Sequence, residues 1–74
     1  MSPVDLRRSL NTLHWSQRGL AEAIECDPRL VRRWVSGDSA IPEEVANWLR
    51  NLATFAQRNP PPLKWKRGHR SVNV

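Results

Sequence analysis

The chain is short of most things that chemistry at a catalytic centre needs. Its single cysteine, Cys26, can form no internal disulfide framework and fits a reducing compartment. No apolar run approaches the ~18 residues of a membrane span, and the first residues show no signal-peptide-like stretch. His14 and His69 lie far apart, without cysteine or carboxylate companions at metal-ligand spacing. No Ser–His–Asp or Cys–His arrangement has supporting spacing, and no glycine-rich loop could cradle a phosphate. The one tight carboxylate pair, Glu43 and Glu44, sits where a helix would start. An enzyme is not expected, nor a metal or cofactor.

Lysine is missing from residues 1–58, where eight arginines face seven acids for a net charge of +1. Residues 59–74 are the reverse: Lys64, Lys66, Arg67 and Arg70 with no acid, a net of +4. The total of +5 points towards a polyanionic partner. With 74 residues, 39% hydrophobic and 26% charged, the chain can make one small globular core.

The spacing predicts four helices. Ser2 and Pro3 begin the first, which carries Leu6, Leu10 and Leu13 at i, i+4, i+7 to about Leu13. Ser16 caps the second, from Gln17 to about Ile24, with Trp15 able to staple onto Leu20. "ECD" (25–27) is a tight connection. Asp27 as N-cap and Pro28 at the first helical position start the third, and Gly37 stops it. Pro42, Glu43 and Glu44 open the last, whose apolar stripe runs through Val45, Trp48, Leu49, Leu52 and Phe55 or Ala56 to about Arg58. Trp15, Trp34 and Trp48 are expected in the core. Three consecutive prolines then end the helix, and 59–74 reads as a flexible basic arm. Trp65 in that arm either folds back onto the last helix or stacks on a partner. Nothing reads as a strand.

The third helix poses the functional question. At roughly 100° per residue, Arg29, Arg32, Arg33 and Ser36 share one side, while Leu30, Val31, Trp34 and Val35 fill the other. One face belongs to a core, and the other suits something negative. Arg33 is read near the middle of the polar arc and Arg32 at its edge.

Two short helices joined by a three-residue turn, the second basic outside, make a helix-turn-helix pattern. The stretch "SQRGLAEAIECDPRLVRRWVSG" (16–37) resembles the helix-turn-helix of the lambda-repressor-like, Cro/Xre family of phage and bacterial regulators. The match rests on Ser16-Gln17, Leu20, Ala21, Ile24, Val31, Trp34 and Gly37, without a gap. "IPEEVANWLRNLA" (41–53) looks like the packing helix that follows in many members, so the resemblance spans roughly 2–58. Two positions depart from it. Glu25 stands where many members have glycine, which calls for a reshaped turn or a left-handed glutamate. Pro28 occupies a position that often reads bases, which shifts readout onto the arginines.

The resemblance implies an all-α, four-helix domain over 1–58 with 59–74 as tail, and sequence-specific binding of duplex DNA. Arg29 and Arg33 would reach base edges, because the guanidinium fork matches guanine O6 and N7. Gln17, Arg32, Ser36 and Ser39 would meet the phosphate backbone, joined by Lys64, Lys66, Arg67 and Arg70 of the tail. A small dimeric repressor acting by promoter occlusion on a palindromic operator is the expected role, in the bacterial cytoplasm or a phage-infected cell. Trp48, Leu52 and Phe55 are the expected dimer surface. Two alternatives stand beside it. One is an antitoxin-like or anti-defence-associated autoregulator whose tail binds a protein partner. The other is a protein-interaction or RNA-binding module in which the arginines only solubilise.

Overall fold

Helices begin in this chain where a side chain can satisfy the free backbone N–H groups of a first turn. The computed structural model describes residues 1–62 and contains four of them: α1 (Pro3–Leu13), α2 (Gln17–Ala23), α3 (Pro28–Ser36) and α4 (Glu43–Arg58). No strand occurs among the described residues. Ser2 and Asp5 form a reciprocal capping box on α1: Asp5 N donates to Ser2 Oγ at 3.1 Å and Ser2 N to Asp5 Oδ2 at 3.4 Å. Gly19 N donates to Ser16 Oγ at 2.9 Å, and Arg29 N to Asp27 Oδ1 at 2.9 Å. α4 differs. Pro42 precedes it without a side-chain cap, and Glu43 and Glu44 face the positive end of the helix instead.

Three helices end in the same way. His14, Glu25 and Gly37 all adopt left-handed backbone, with φ of 59°, 57° and 88°. Each donates its N–H back to the helix (His14 to Asn11 O, Glu25 to Glu22 O, Gly37 to Trp34 O). The following residue reaches one carbonyl further: Trp15 N to Leu10 O at 2.9 Å, Cys26 N to Ala21 O at 2.9 Å, Asp38 N to Arg33 O at 2.8 Å. This paired closure is the Schellman motif, which favours glycine because it has no Cβ to clash. Glu25 therefore takes the left-handed conformation itself, and α2 stops at Ala23 rather than Ile24.

Leu6, Leu10, Leu20, Ala21, Val31, Trp34 and Leu49 form one core, drawn from all four helices. Leu6, Leu20, Val31 and Leu49 are wholly buried, each leucine stabilising by roughly 1.5–3 kcal/mol. α1 packs on α3 and α4, and α2 packs on α3. Consequently α3 is held from behind by two helices, with Val31 and Trp34 inward and the opposite side left to solvent.

The tryptophans divide. Trp34 is buried and Trp15 half-buried, whereas Trp48, expected in the core, is 37% exposed. Its ring lies against that of Trp15, with centroids 5.7 Å apart and planes tilted by 49°. Such an aromatic pair adds about 0.5–1.5 kcal/mol beyond its burial. Ala46 and Leu49 take the positions of α4 that reach the core, leaving Trp48 at its margin. Among the described residues, no helix is long and apolar enough to cross a membrane.

Candidate nucleic-acid interface

The outer face of α3 follows from its start and its phase. Asp27 and Pro28 fix where the helix begins, and burial of Val31 and Trp34 fixes its rotation. Arg29, Arg32, Arg33 and Ser36 are then all exposed, as the periodicity requires. Gln17, the first residue of α2, comes beside them. Together with Arg7, Val35 and Asp38, they border an open concavity of about 620 Å³. Four guanidinium groups and one amide thus converge on one depression, with Asp38 the sole acid on its rim.

Arg7 is the residue that sequence reasoning missed. It lies on α1, and its Nη1 donates to Val35 O at 3.4 Å, across a separation of 28 residues. A guanidinium at the C-terminal turn of α3 is favourable because the helix dipole is negative there. The only sequence signal was an exposed position on the side of α1 away from its leucines. Such positions usually mean no more than solvent.

Arg29 is not a free arm. Its Nε donates to Asp27 Oδ1 at 3.3 Å and its Nη2 to Asp27 Oδ2 at 3.1 Å, the one ion pair among the described residues. The Arg29 hydrogen bonds hold the Asp27 carboxyl below the ordinary aspartate range. The carboxylate in turn raises the Arg29 guanidinium above its usual value.

Arg32 and Arg33 are not separated by helical phase as the sequence reading had them. Each lies about 50° from the centre of the polar arc, on opposite sides, at ~100° per residue. Their neighbours separate them instead. A smaller hollow of about 200 Å³ is bordered by Asp27, Arg29, Leu30 and Arg33, so Arg33 sits on the side of the Asp27–Arg29 pair. Arg32 borders the larger depression but not this smaller hollow.

The serines are less available than the sequence suggested. Ser36 Oγ lies within donating distance of Arg33 O at 3.1 Å and Asp38 Oδ2 at 3.0 Å. A phosphate would have to compete for that proton. Ser39 is half-buried in the loop, and its backbone N–H donates to Arg33 O at 3.2 Å. Lys64, Lys66, Arg67 and Arg70 lie outside the described residues, as does Trp65.

On α4, Phe55 is 65% exposed, and with Trp48 and half-buried Leu52 it belongs to a part of the helix that the core does not use. Among the described residues, no group of three or more His, Cys, Asp or Glu side chains could hold a metal ion. No family model, curated protein or solved structure matches the chain.

Proposed function

We propose that the chain is a sequence-specific duplex DNA-binding regulator of the helix-turn-helix kind, with α3 as its recognition helix. The observation that carries this reading is the two-sidedness of α3. Val31 and Trp34 lock it into the core, while Arg29, Arg32 and Arg33 stand exposed around a depression that also gathers Arg7 and Gln17. A helix so mounted fits the major groove, where arginine forks meet guanine edges and flanking donors meet phosphates. Arg29, in the first turn of α3, and Arg33, one turn on and bordering the same small hollow as the Asp27–Arg29 pair, are the base readers. Arg32, Arg7 and Gln17 face the sugar–phosphate walls.

A reading surface this small spans only a few base pairs, so two copies would share a palindrome with half-sites about 34 Å apart. Trp48, Leu52 and Phe55 supply the apolar surface for that pairing. Occupation of a promoter would exclude polymerase, which makes the protein a repressor by occlusion.

Substitution of the two neighbouring arginines tests the assignment. Loss of a bidentate guanine contact removes about 1–3 kcal/mol of discrimination, whereas loss of a phosphate contact weakens all sequences nearly alike. Arg33→Ala should relax preference at one base pair per half-site. Arg32→Ala should lower affinity for preferred and random duplexes together. Both variants must keep the parent's helical signal and melting, because arginine stems also pack. Equal losses on both duplexes for Arg33→Ala would remove it as a reader.

A further inference from the structure

Arg29 meets Asp27 through one particular edge of its guanidinium. The planar group offers two bidentate edges, one made by Nε–H with an Nη2–H, the other by the two terminal nitrogens. Asp27 takes the first, through Nε at 3.3 Å and Nη2 at 3.1 Å. The second edge, Nη1 with the remaining Nη2–H, is left without a partner among the described residues. That terminal edge can donate a parallel pair to guanine O6 and N7. Asp27 is itself anchored, since its Oδ1 also accepts Arg29 N at 2.9 Å as the cap of α3. Backbone, carboxylate and guanidinium therefore form one closed unit at the helix tip.

The pair's exposure argues that its consequence is orientation. The side chains are 77% and 52% exposed for Arg29 and Asp27, and ion pairs that open to water add little stability. A pair of that strength still favours one Arg29 rotamer several-fold before contact, and so lowers the ordering cost of binding. The carboxylate has a second effect. At the tip of a helix approaching DNA it repels phosphates, and it tolerates close approach only where Arg29 finds its guanine.

We propose that Asp27 is a positioning and specificity-determining residue for DNA readout: it biases Arg29 towards the rotamer that leaves its terminal edge free for guanine and penalises binding elsewhere. This rests on the reading of α3 as a recognition helix. Asp27 touches no base in this arrangement; it acts through Arg29.

The test uses the duplex enriched from a random pool by the intact chain, with a scrambled duplex beside it. Asp27→Asn retains a capping side chain but loses the charge. It should bind the scrambled duplex several-fold more tightly, and its ratio of preferred to scrambled affinity should fall several-fold. Profiling over all four bases should place that loss at the base pair that Arg29→Ala also relaxes. In the Arg29→Ala background, Asp27→Asn should still raise affinity for both duplexes but leave their ratio unchanged. Asp27→Ser, whose hydroxyl also caps, guards against a folding artefact and should match Asp27→Asn. An unchanged base profile in Asp27→Asn overturns the proposal while leaving α3 as the reading helix. So does an equal loss of ratio with Arg29 absent. An intact chain that enriches no motif overturns both.

Discussion

At the scale of single residues, two exposed carboxylates carry the expected pH dependence. Asp5 and Asp27 are both held below the ordinary aspartate range, Asp5 chiefly by the Ser2 backbone N–H and Asp27 chiefly by the Arg29 side chain. A carboxyl whose folded value lies below its unfolded one adds stability that is complete above the unfolded value. That stability is lost as pH falls through the folded value. Melting temperature should therefore be flat from neutral pH to about pH 5 and decline below it. Asp27→Asn should make that decline shallower, and an identical acid limb in parent and variant would show that the pair does not matter to folding. The residues of α3 were legible because one helix period sorts them: every position read as polar is exposed, and Val31 and Trp34 are buried. The Asp27–Arg29 pairing was not legible, because a cap and an arginine two residues on fit many rotamers. Arg7 was hidden for a different reason. It joins the depression through a contact 28 residues distant, and one-dimensional periodicity carries no such information.

At the scale of elements, helix starts and helix ends were both legible to within about a residue. Ser2, Ser16 and Asp27 announce the first three helices by their chemistry, and each accepts the expected backbone N–H. Only the end of α2 was read long, at Ile24 rather than Ala23, because its left-handed closure falls on Glu25 and not on a glycine. The backbone at His14 and Glu25 is strained, by about 1–2 kcal/mol for a residue with a Cβ. Glycine's greater freedom in the unfolded chain takes back about 0.4–1 kcal/mol of any relief. Glu25→Gly and His14→Gly are thus each expected to stabilise by about 0.5–1 kcal/mol, a rise of a few degrees in Tm. Gly37→Ala should destabilise by about 1 kcal/mol, although its Cβ would meet only Pro3 Cγ, at 3.6 Å. Denaturant midpoints with unchanged slopes check all three. A destabilised Glu25→Gly would mean that the Glu25 side chain holds the turn. Trp48 shows the limit of stripe reading: its phase suits the core, but Ala46 and Leu49 already fill the contact, so it stacks on Trp15 at the rim.

At the scale of the whole molecule, the pieces divide into a helix held with its arginines outward, which we propose reads DNA, and an apolar surface on α4. Phe55 is 65% exposed, so Phe55→Asp should leave the fold and its melting intact. If that surface joins two copies on DNA, the variant should give one chain per half-site duplex and lose tight binding to the full site. Mass measurement of the complex in solution distinguishes the outcomes, and two chains per duplex with Phe55→Asp would move the interface elsewhere. Truncation after Asn59 removes four basic residues. It should weaken binding to all sequences and flatten the salt dependence, because fewer counterions are released. Unchanged affinity would instead favour a protein partner for the tail. The most direct measurement of all is enrichment of duplexes from a random pool by the intact chain, repeated over a range of salt. A short guanine-containing motif should emerge, repeated as a palindrome with half-sites one helical turn apart. Enrichment of no motif at any salt would contradict sequence-specific binding and leave the arginines of α3 as a solvated face.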